Sequence, residues 1–172
     1  LRYGGKIIGI CGGYQMLGTE VSDLHGVEDA PGISQGLGFL DMTTDLKRHK
    51  QLRQVKGTLN LTGGNIEGYE IHCGASSGKA LDYSVATLDD GRTDGAISAD
   101  NQVLGTYLHG LFDHPDSSAA LLAWAGLETT LVVDQREIRE TQLNRLAAEL
   151  EECLDCARLF PEHFELGAAV GE

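Results

Sequence analysis

Apolar positions in this chain fall into short runs cut by glycine, aspartate and asparagine. Period-2 or continuous apolar character predicts strands over residues 6–10, 38–42, 56–61, 66–72, 85–87, 95–98 and 103–108. Helical spacing occurs at 14–20 and 117–124. It is strongest at 137–154, where Ile138, Leu143, Leu146, Leu150 and Leu154 recur near a 3.6-residue period. Asp116-Ser117-Ser118, just after Pro115, reads as the N-cap of the second helix. Few helices separate the middle strands, so the centre is not a run of simple βαβ units. The pattern predicts an α/β fold in which the sheet carries an antiparallel or mixed extension.

Composition narrows the partners. The 172 residues suffice for one domain, 1–172, with a real core. Thirteen basic against 26 acidic residues give a formal charge of −13. Such a field repels phosphate backbones and anionic lipid, which argues against nucleic-acid or membrane partners. No apolar stretch approaches the roughly 20 residues that span a bilayer. Four cysteines, Cys11, Cys73, Cys153 and Cys156, do not make a disulfide framework at this length, and a reducing cytoplasm is the expected location. Cys153-x-x-Cys156 lacks a second pair at ligand spacing, so no metal is expected there. Glu162-His163 is expected to be solvated, and Trp124 to be core.

The stretch with chemistry is Lys-Ile-Ile-Gly-Ile-Cys-Gly-Gly-Tyr-Gln-Met-Leu-Gly at 6–18. It has the layout of a nucleophile elbow with cysteine in place of serine. Glycines two residues either side of Cys11 are expected to relieve the turn of colliding Cβ atoms. The turn would present the sulfur beside the first unpaired N–H groups of a helix, which stabilise negative charge on it. Cysteine hydrolysis also needs a base working near neutral pH, which favours histidine. Of six histidines, His109 ends an apolar strand and precedes Gly110, placing it where it could face the cysteine along one sheet edge.

Gly9-Ile10-Cys11-Gly12-Gly13-Tyr14-Gln15-Met16-Leu17-Gly18 resembles the nucleophile motif of triad-type (class I) glutamine amidotransferases. Gly68-Tyr69-Glu70-Ile71-His72-Cys73-Gly74, Asp94-Gly95-Ala96 and Gly105-Thr106-Tyr107-Leu108-His109-Gly110-Leu111-Phe112-Asp113 narrow the likeness. In this order they resemble the C-terminal glutaminase domain of the cobyric acid synthase family. The resemblance implies an open, mostly parallel, flavodoxin-like sheet with helices on both faces. It also implies that Cys11 attacks glutamine to give a γ-glutamyl thioester and ammonia, with His109 as acid and base. Gly12 N–H would be an oxyanion donor, Gln15 would line the glutamine pocket, and Tyr69, Glu70 and His72 would contact substrate or a neighbouring domain. Ammonia would pass to an N-terminal synthetase domain that uses ATP and Mg2+ to activate corrinoid carboxylates, so no cofactor is expected in this chain.

Two departures stand out. The family's glutamate two residues after the histidine is here Leu111, leaving Asp113 and Glu70 as candidate substitutes. The chain also starts abruptly at Leu1 against a core strand. It is therefore expected to be N-terminally truncated, to lack its first strands and the synthetase domain, and to be weakly active or inactive alone. The rival readings are the glutaminase of an a,c-diamide synthase or of lipid II isoglutaminyl synthase, a non-catalytic interaction module of the same fold, and a cysteine hydrolase that uses no glutamine.

Overall fold

The computed structural model describes residues 3–127 and 134–159. The chain divides into two compact units, Leu1–Val133 and Asp134–Glu172.

In the first unit, β1 (Ile7–Ile10) pairs in parallel with β9 (Val103–Thr106), and β8 (Ala96–Ile97) pairs antiparallel with β9. The larger sheet is built around a long antiparallel pair, β4 (Thr43–Leu59) and β5 (Asn65–Ser77). β2 (Glu20–Asp23) joins β4 in parallel and carries β3 (Gly32–Gln35) at the edge. β10 (Leu108–His109) lies antiparallel on the other flank, against β5. Two short strands, β6 (Ala86–Leu88) and β7 (Thr93–Asp94), extend it. The fold class is α/β, as expected, and among the described residues the antiparallel and mixed extension holds most of the strands.

Several predicted elements differ in extent, for identifiable reasons. Residues 38–42 form bends rather than a strand. Leu40 and Met42 are apolar because they plug the core, while the N–H groups of Phe39 and Leu40 donate to Leu17 O and finish helix α1 (Gly12–Leu17). β4 begins thirteen residues before the predicted 56, because positions 47–54 are solvated on both faces and so show no alternation. Helix α2 (Pro115–Trp124) is capped by His114, whose Nδ1 accepts from Asp116 N–H, with Pro115 at the first helical position. The predicted cap residue Ser117 instead donates its hydroxyl to Leu111 O at 2.6 Å. Trp124 packs against the core as expected, donating Nε1–H to Asn101.

In the second unit, helix α3 (Gln135–Cys153) starts at Asp134, whose carboxylate accepts from two first-turn N–H groups. No residue of α3 is buried. A short turn of helix α4 (Cys156–Leu159) follows. Cys153 is exposed and free, and Glu162-His163 lies outside the described residues. No described helix is long and apolar enough to cross a membrane.

Candidate active site

Cys11 ends β1 and opens α1 with backbone angles φ 53° and ψ −113°. Side chains rarely adopt this region. Among the described residues only Asn101 also combines a positive φ with a side chain. A Cβ on Gly9 would stand 2.6 Å from Leu17 Cδ1 and 2.9 Å from the Gly13 carbonyl, so this glycine is required where the helix folds back over the strand. A Cβ on Gly13 would meet nothing within 4 Å. The expectation of two necessary glycines therefore holds for the one before the cysteine only, because Gly13 points into open space.

The elbow sits on the seam of the two sheets. Cys11 N–H donates to Thr106 O, extending the β1–β9 pairing, while its thiol donates to Ile71 O of β5 at 3.6 Å. Gly12 N–H belongs to the first turn of α1, which has no intrahelical acceptor to offer it. Gln15 lies one turn on, its amide packed against Gly74.

His109 reaches the same stretch of β5 from the flank. It pairs with Tyr69 in β10–β5 register, and the two rings stack with centroids 5.0 Å apart and planes 8° apart. Gly68 permits this approach, since any Cβ there would run into the His109 carbonyl oxygen. His109 Nε2 is buried without a hydrogen-bond partner. The Cys11 thiol is bonded to Ile71 rather than to His109, but both residues border positions 69–71 of one strand.

The candidate carboxylates separate cleanly. Glu70 lies across from Leu108, and alternation turns its side chain away from the face shared by Tyr69 and His109. Its carboxylate is taken by Arg92, in a forked pair at 2.9 and 3.0 Å, and by Arg53 Nε at 3.5 Å. Glu70 therefore does not orient His109. Asp113 closes a turn onto Gly110, its N–H donating to Gly110 O, and its carboxylate lies beside that residue. Leu111 is buried in the core.

His72 turns to Glu70's side of β5. Its Nδ1 bonds Gly74 O at 2.9 Å, its ring stacks on Tyr107 at 3.8 Å, and Nε2 is buried without a hydrogen-bond partner. Burial holds His72 below its ordinary pKa and so favours the neutral ring. These groups line a polar cavity of about 200 Å³ with Tyr14, Ser76, Arg92 and Asp94; its walls include neither Cys11 nor His109. Cys73 is partly buried and free.

Nothing along the chain marks out Arg53, Arg92 or the bonding of Asp94. A contact signal for the first two exists only in strand register and in the β6–β7 turn. Asp94 accepts from the Thr106 hydroxyl and, at 3.2 Å, from Tyr107 N–H. Burial, partly offset by these bonds, pushes its carboxyl up to about 6 from 3.8. The folded state therefore holds a proton that the unfolded chain releases, and Asp94 contributes stability that is lost as pH rises from about 4 to about 6. The shift corresponds to about 3 kcal/mol. Asp94→Asn should lack this loss. Urea unfolding at pH 4, 5, 6 and 7 should show the variant gaining on the wild type by about that amount across the window; parallel pH profiles would contradict the assignment.

Among the described residues no group of three or more histidine, cysteine or acidic side chains could hold a metal ion. A family model described as CobB/CobQ-like glutamine amidotransferase domain matches residues 1–117, well over half of the chain and the whole of the Cys11–His109 region.

Proposed function

As the chain belongs to the CobB/CobQ-like glutamine amidotransferase family, we propose that it hydrolyses glutamine at Cys11 to supply ammonia for ATP-dependent amidation of corrinoid carboxylates, in the manner of cobyric acid synthase. The observation that carries this reading is the strained backbone of Cys11 at a strand-to-helix turn. Strain at a residue that could relax if it were merely structural points to a task for its side chain.

The reaction follows from the groups around it. The sulfur attacks the side-chain amide carbon of glutamine, and the carbonyl oxygen gathers negative charge that Gly12 N–H can receive. His109 takes the thiol proton and delivers it to the departing nitrogen, which leaves as ammonia. The resulting γ-glutamyl thioester is hydrolysed by water that His109 deprotonates, giving glutamate and restoring the thiol. The unpartnered Nε2 of His109 is suited to that traffic, since no resident bond must be broken first. Gln15 contributes to the glutamine pocket. The resemblance of Tyr69-Glu70-Ile71-His72 to the motif of the corrinoid branch is what favours cobyric acid synthase among the related amidoligases.

The resemblance to cobyric acid synthase implies that carboxylate activation uses ATP and Mg2+. We assign that step, and corrinoid binding, to a separate synthetase domain with which this chain works in the cytoplasm. The test is to trap the intermediate: incubate the chain with glutamine, quench with acid, and look for a γ-glutamyl adduct on the Cys11 peptide by mass spectrometry. The adduct should form with release of glutamate and ammonia. Its absence would remove glutamine as substrate, and undiminished formation in His109→Ala would remove the base assignment.

A further inference from the structure

We propose that Tyr69 is the positioning residue of His109, holding the plane of the imidazole by ring stacking. The inference rests on the roles given above to Cys11 and His109.

A histidine that shuttles protons must keep its ring in one orientation, and a carboxylate usually fixes it. Here the position two residues after His109 holds Leu111, which is buried in the core and accepts no hydrogen bond. Glu70 is committed to two arginines on the opposite face of β5. Tyr69 lies directly opposite His109 in register, with the two rings parallel within 8°. Rotating the imidazole about its side-chain bonds would break this stack, so the aromatic face selects one ring plane.

The arrangement suits the chemistry in a second way. When His109 accepts the thiol proton it becomes a cation, and an aromatic face stabilises a cation lying over it. Stacking of this kind needs a ring but no hydroxyl. The anchoring is also rigid: Arg53 and Arg92 clamp Glu70, the next residue on β5, and the absence of a side chain at Gly68 lets β10 pack close. Tyr69 thus belongs to a strand whose neighbour Ile71 already fixes the thiol. One strand sets both partners of the proton transfer.

The experiment compares Tyr69→Leu, Tyr69→Val and Tyr69→Phe in the full chain, by steady-state glutaminase kinetics and by the rate of Cys11 alkylation with iodoacetamide at pH 7, read on the Cys11 peptide. Losing the ring should lower kcat by about tenfold, the scale expected for a modest loss of orientation, with KM within about twofold. Cys11 alkylation should slow in parallel, and Tyr69→Phe should stay within about twofold of wild type in both. Tyr69→Val keeps strand propensity, so the comparison survives if the leucine variant misfolds.

A rise in KM at unchanged kcat would make Tyr69 a substrate contact and overturn the proposal. So would a phenylalanine variant as impaired as leucine, or a leucine variant equal to wild type. If the wild-type chain does not hydrolyse glutamine, the functional reading falls separately. Alkylation that slows in both His109→Ala and Tyr69→Leu would still uphold the stack, and alkylation indifferent to Tyr69 would end it.

Discussion

Cys11→Ala should abolish glutamine-dependent amidation, by about 10⁴-fold or more, while amidation from added ammonia continues in the presence of the synthetase domain. The split follows from where the sulfur stands. Cys11 is tied to Thr106 by its backbone and to Ile71 by its thiol, and it is not a member of either core cluster. Removing the thiol therefore leaves the packing of Tyr14 and Leu17 behind it intact. Alanine also bears the same positive φ as cysteine, so the backbone strain is unchanged. Measuring product with glutamine and with ammonium salt, on variants of equal thermal midpoint, checks the prediction. Equal loss with both nitrogen sources in a folded variant would make Cys11 a structural residue.

Arg92→Ala should lower the unfolding free energy by about 2–4 kcal/mol. Glu70 is 4% exposed, and Arg92 supplies two of its contacts through one planar fork. Deleting that fork leaves a buried carboxylate with Arg53 at 3.5 Å and the His72 ring at 3.9 Å. Asp90 also bonds Arg92, which fixes the fork and draws the guanidinium's pKa further up together with Glu70. Arg92→Lys should recover only part of the loss, because a point charge cannot make the bidentate contact. Glu70→Gln in the Arg92→Ala background should restore much of it by removing the uncompensated charge. Urea denaturation of the single and double variants gives the coupling directly. A loss below about 0.5 kcal/mol for Arg92→Ala would mean the pair adds nothing to the fold.

The two predictions differ in how far ahead of the structure they could be seen. Cys11 could be picked out because everything that makes it special lies within nine residues: an apolar strand, a glycine that clears the helix, and a helix start. The surplus glycine at 13 misled only in detail, since whether a Cβ fits depends on atoms outside the motif. His109 was visible for a similar reason, as the polar end of an apolar run followed by glycine. Strand β3 (Gly32–Gln35) was not legible because an exposed edge strand carries no hydrophobic alternation, and β2 (Glu20–Asp23), though interior to the sheet, has one apolar residue in four. The apolar run at 38–42 reads as a strand yet spends its backbone groups on the end of α1.

Glu70 shows where reading along the chain stops working. Its place in Gly68-Tyr69-Glu70-Ile71-His72 made it a candidate partner for the histidine, and nothing nearby in sequence argued otherwise. Its fate was set by which residue of β10 lies across from it, and by a turn more than twenty residues away that brings Arg92 to its carboxylate.

Cys11 in its elbow and the histidine at a strand tip could be read along the chain, because local backbone geometry and side-chain type suffice to define them. That Tyr69 faces His109, that Glu70 binds two arginines and that Ile71 receives the thiol came from the folded chain. Those partnerships depend on strand register, and a shift of one residue would have exchanged every face.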